Sequence, residues 1–96
     1  MARPARLTPR ELIPGWPDVE SIEPIGEVAR LFALNLRGAI GSKSLREAAA
    51  ATGVDHSTIL AILQGRAWPD LFTLAKLEHG LQADLWPGRA KADDHS

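Results

Sequence analysis

The stretch from Ser44 to Gly65, SLREAAAATGVDHSTILAILQG, constrains this chain more than any other. Ser44, with Glu47 three residues later, forms a capping box. In it the serine hydroxyl accepts a first-turn amide and the glutamate reaches back to the serine's own amide. Ala48 to Ala51 then continue with the strongest helix former. Thr52-Gly53 stops this helix, because glycine enters the left-handed conformation without the roughly 1–2 kcal/mol penalty of a Cβ. Val54 follows as an apolar plug. Asp55 caps a second helix, with His56, Ser57 and Thr58 in its first turn and Ile59, Ile62 and Leu63 behind them. Gly65 ends it. Helix, glycine turn, helix is the arrangement this spacing predicts.

The flanks predict more helix and no strand. Ile25, Val28, Leu31, Phe32, Asn35, Leu36, Ala39 and Ile40 fall on a three-four spacing, so a helix runs from Ile25 to about Ile40 with these residues inward. Gly41-Ser42 ends it. Asp70 caps another helix, Leu71 to about His79, with Leu71, Leu74, Ala75 and Leu77 inward and Gly80 as its breaker. Ala83 to Trp86 makes one more turn before Pro87-Gly88. The expected fold is all-α: a compact bundle of about five short helices around a helix-turn-helix, preceded by a proline-rich N-terminal segment. Its divisions are an arm at 1–24, a domain at 25–88 and a disordered polar tail at 89–96.

The arm holds five of the seven prolines, which forbid a long helix. Thr8-Pro9-Arg10-Glu11 still carries a small capping signal, enough for one turn as far as Ile13. Trp16, Val19 and Ile22 are apolar within an acidic stretch. They either pack back on the domain, the favoured reading, or meet a partner.

Charge locates the candidate partners. Eleven Lys and Arg face twelve Asp and Glu, for a net charge of −1. Asp18, Glu20, Glu23 and Glu27 form an acidic block, whereas Arg37, Lys43, Arg46 and Arg66 outnumber Glu47 and Asp55 around the central motif. A basic face on a near-neutral protein would bind a polyanion with strong salt dependence. Arg3, Arg6 and Arg10 suggest either an arm entering a groove or a solvated tail. The chain has no cysteine, and His79 and His95 have no partners at metal spacing. No metal or other cofactor is expected. No nucleophile-base-acid or paired-carboxylate arrangement can be assembled, which argues against an enzyme. With no apolar run of about 20 residues and no signal-peptide pattern at the N-terminus, the expectation is a cytoplasmic protein without a membrane contact.

Over residues 25–86 the chain resembles the phage-repressor type of helix-turn-helix, the lambda repressor and Cro-like (XRE) domains. Ala49, Gly53, Val54, Ile59 and Ile62 stand where that family places its small helix-contact residue, its turn glycine and its buried aliphatics. Pro69 to Leu77 looks like the family's fourth helix, and Leu85-Trp86 like its short fifth. The resemblance implies that helix 55–63 enters the major groove of double-stranded DNA. His56, Ser57, Leu60, Ala61 and Gln64 would then meet base edges. Lys43, Ser44, Arg46 and Arg66 would meet phosphates, Ser44 through the amides of the helix it caps. Three positions depart from the pattern. Leu45 replaces a common phosphate-binding glutamine, Lys43 precedes the cap where an apolar residue is usual, and the reading face has no arginine or lysine.

The function expected from this is a sequence-specific DNA-binding transcriptional regulator. It would be a repressor of phage or mobile-element type that acts as a homodimer, with Leu85 and Trp86 as core or dimer patch. The alternative is a protein-interaction module on the same fold, such as an antitoxin or adaptor that docks a protein partner through the N-terminal segment.

Overall fold

The structure is a computed structural model that describes residues 6–89. Arg3 of the N-terminal arm and the tail's Asp93, Asp94 and His95 lie outside the described residues. Five helices follow one another: α1 (Pro9–Leu12), α2 (Pro24–Ile40), α3 (Leu45–Thr52), α4 (His56–Leu63) and α5 (Leu71–Leu81). Among the described residues there is no strand, and no helix is long and apolar enough to cross a membrane.

The core is one cluster: Phe32, Leu36 and Ile40 from α2, Ala48 from α3, Val54 from the turn, Ile59 and Ile62 from α4, Leu77 from α5, and Leu85 beyond it. Each large aliphatic or aromatic side chain removed from water there stabilises the fold by roughly 1.5–3 kcal/mol. The second half of α2 supplies it as the three-four spacing predicts. The first half does not. Ile25 is 65% exposed, while Gly26, Ala29, Arg30 and Ala33 are buried. The cause is a second neighbour: the N-terminal segment packs here, with Ile13 buried against Gly26, where a Cβ would come within 3.3 Å of the isoleucine. Asn35, expected inward, is exposed, and its amide donates to the Leu85 carbonyl at 2.9 Å.

Arg30 is a buried charge with a full set of partners. Its guanidinium meets the Glu27 carboxylate at 2.6 and 2.9 Å and donates to the Pro17 carbonyl at 3.2 Å. Glu27 also accepts the Ser21 amide at 2.8 Å. Two parallel charge-assisted bonds repay the cost of burial that an unpaired guanidinium would impose. The Arg30 guanidinium in turn holds the Glu27 carboxyl below its usual range.

The C-terminal third differs from expectation at three points. α5 runs through Gly80 to Leu81, and its left-handed cap is Gln82. Gly80 is a contact residue and no breaker, since a Cβ would stand 2.5 Å from the Ala51 carbonyl and from the Thr52 Cα. Glycine there lets α5 close on α3. Leu71 and Ala75 are exposed rather than inward, and Leu77 alone in α5 is fully buried. Ala83 to Trp86 forms no helical turn. The Glu78 carboxylate accepts the Leu85 and Trp86 amides at 2.8 and 3.0 Å, which anchors this segment to α5 where Leu85 is buried in the core.

Candidate nucleic-acid interface

The central motif forms from local rules. Ser44 accepts the Glu47 amide at 3.0 Å, and Glu47 accepts the Ser44 amide at 2.8 Å, so the capping box closes. α3 ends at Gly53, whose φ of 76° is left-handed and whose amide donates to the Ala49 carbonyl at 2.8 Å. Thr52, expected to help stop the helix, and Lys76, not singled out from the sequence, complete the turn. The buried Thr52 hydroxyl donates to the Ala48 carbonyl at 2.8 Å and accepts the Val54 amide at 3.1 Å. The Lys76 ammonium donates to the Gly53 carbonyl at 2.9 Å and lies 5.0 Å from the Phe72 ring centre. A cation at a helix C-terminus is favoured by the helix dipole.

Ala49 is not the deepest small residue of α3. Ala48 is fully buried, and Ala49 packs half-buried at the edge of the core. The interior face of α3 is set by Ala48, Thr52 and the approach of α5, which places Ala49 one position round the helix.

α4 starts at Asp55, whose carboxylate accepts the Ser57 amide at 3.1 Å and the Ser57 hydroxyl. These bonds, the hydroxyl first, keep the Asp55 carboxyl below its usual range. Ile59 and Ile62 are buried three residues apart and fix the inner face of the helix. His56, Ser57 and Gln64 are exposed on the outer side, with Leu60 and Ala61 half-buried between them. Thr58, expected in the first turn but not among the base-reading candidates, is exposed as well.

Lys43, Ser44, Arg46 and Arg66 are all exposed. Lys43, Arg46 and Arg66 take part in no ion pair among the described residues, where the pair formed is Arg30–Glu27. The Arg66 guanidinium donates instead to the Gln64 side-chain oxygen at 2.7 Å. A prospective base reader and a prospective phosphate cation are thus already joined. The Ser57 hydroxyl is similarly committed as a donor to Asp55, which leaves it an acceptor toward a ligand.

The surface can offer a row of hydroxyl, imidazole and amide groups from one helix, next to the capped start of another, with cations on either side. A family model described as Helix-turn-helix matches residues 41–85. No curated protein and no solved structure matches the chain.

Proposed function

With residues 41–85 forming a helix-turn-helix of the lambda repressor-like family, we propose that the chain is a sequence-specific transcriptional regulator that reads the DNA major groove with α4. The observation that carries this is the outward row His56, Ser57, Leu60, Ala61 and Gln64 on a helix whose inner face is pinned by Ile59 and Ile62. Imidazole, hydroxyl and amide groups discriminate bases by donor and acceptor pattern, while Leu60 and Ala61 suit a thymine methyl. Ser44, through the amides of α3, together with Lys43, Arg46 and Arg66, contacts phosphates and sets register.

The regulator acts as a homodimer and a repressor in this reading. Leu71 and Trp86 are apolar, 79 and 55% exposed, and line one hollow, which supports self-association there. Paired α4 helices on one side of the duplex would read half-sites about 34 Å apart.

Selection of bound duplexes from random sequence, followed by affinity measurements against salt, tests the reading. Arg66→Ala is expected to weaken all sequences alike and reduce the salt slope by about 1. A slope that stays at the wild-type value would remove Arg66 from the phosphate set.

One observation favours the second reading, a protein-docking role for the N-terminal segment. Ile22 is wholly exposed, and Val19 and Ile25 are more than half exposed, beside the exposed Asp18, Glu20 and Glu23. A docking role predicts that a partner binds in the absence of DNA and that Ile22→Asp abolishes that binding.

A further inference from the structure

We propose that Trp16 is a positioning residue for α4, fixing the C-terminal end of the helix from outside the helix-turn-helix. The proposal rests on α4 being the DNA-reading helix. The last carbonyls of a helix have no partner within it. Part of this end is closed by the chain itself, since the Gln64 amide donates to Leu60 at 2.9 Å and the Arg66 amide to Ala61 at 2.8 Å. The Leu63 and Gly65 carbonyls are met by the N-terminal segment. The Trp16 indole N–H donates to Leu63 at 2.9 Å across 47 residues, and the Arg10 amide donates to Gly65 at 2.9 Å.

The indole also lies flush against Gly65. A Cβ at that glycine would stand 2.6 Å from Trp16 Cε2, and Gly65 itself has a φ of 71°. The left-handed turn and the missing side chain together admit the ring. Beyond it, the Trp68 indole donates to the Leu7 carbonyl at 2.8 Å, a third tie between the same two segments. Gln64 and Arg66 flank the clamped glycine and are bonded to each other. An eight-residue helix with its last turn free would present those groups over a range of angles. With the clamp they are preorganised, and less ordering remains to be done on binding.

The experiment compares three full-length variants with the wild-type chain at a temperature where all are folded by circular dichroism. Trp16→Ala removes ring and donor, and Trp16→Phe removes the donor alone. Ile13→Val weakens the same N-terminal segment at its contact with α2. Affinity and salt slope are read on the selected duplex, and amide hydrogen exchange is read at Gln64, Gly65 and Arg66. Trp16→Ala is expected to lower specific affinity about tenfold with an unchanged salt slope, as for one or two lost hydrogen bonds without loss of phosphate contacts. Exchange at the three amides speeds up while exchange in α3 does not. Trp16→Phe falls between, and Ile13→Val leaves both readouts at the wild-type level. Equal effects of Ile13→Val and Trp16→Ala, or unchanged exchange at residues 64–66, would overturn the assignment. If the wild-type chain selects no sequence, the reading of α4 fails, and the exchange data alone still decide whether the clamp exists.

Discussion

The two ends of α4 are held in opposite ways. Its N-terminal end is fixed by neighbours in sequence: Asp55 caps it, and the turn before it is closed by Gly53 and Thr52. Its C-terminal end is closed in part by its own amides and completed by residues about fifty positions away, Arg10 and Trp16. A helix end specified locally forms as soon as its own residues take helical angles. One held remotely as well closes in part on its own amides, but its last carbonyls find partners only when the N-terminal segment docks. The helix-turn-helix thus closes its turn chiefly with local residues, joined by Lys76 from α5, and leans at its far edge on the N-terminal segment.

Matched glycine substitutions break the comparison most sharply. Gly53 and Gly65 both sit at left-handed angles, but a Cβ at Gly53 meets only the flexible end of Lys76, whereas at Gly65 it meets the Trp16 ring. Gly65→Ala is expected to cost about 3 kcal/mol, combining backbone strain with overpacking. Thr52→Val, close in shape, strands the buried Val54 amide and is expected to cost about 2 kcal/mol. Gly53→Ala carries only the strain and is expected to cost about 1 kcal/mol. Urea unfolding measures all three. If Gly53→Ala and Gly65→Ala cost the same, the ring is not what makes the remote end different. The excess cost at Gly65 is also expected to vanish in a Trp16→Ala background.

The smallest effect is with pH. Glu27 is held below the usual 4.5 by Arg30, and Glu78 below it by the Trp86 and Leu85 amides. Carboxyls depressed in the folded state contribute stability that is fully present above their unfolded values and is lost as pH falls through the folded ones. Melting temperature should therefore be flat down to about pH 5 and decline below it. Glu78→Gln should flatten part of that decline. A decline of the same size in the Gln variant would remove Glu78 as a contributor.

The same division explains what the sequence revealed. Both capping boxes, the Gly53 turn, the Asp55 and Asp70 caps and the buried pair Ile59 and Ile62 depend on residues within four positions of one another. Each could be read by spacing. The inner face of early α2 could not, because Ile25 is displaced by a packing partner that a periodicity cannot see. Gly80 looks like a helix breaker by propensity, and only the proximity of Ala51 and Thr52 reveals it as a contact residue. Ala83 to Trp86 carries a helical composition, yet Glu78 takes its amides from outside. For the candidate interface, exposure of His56, Ser57 and Gln64 follows from the helical repeat. The bonds from Ser57 to Asp55 and from Arg66 to Gln64 required side-chain positions.

The central claim is that α4 reads bases, and selection of duplexes by the wild-type chain and by His56→Ala and Gln64→Ala tests it most directly. The account predicts that the wild-type chain enriches one motif, and that each variant loses about 1–3 kcal/mol on it while relaxing preference at a single position. An unchanged motif and unchanged affinity in both variants would contradict it.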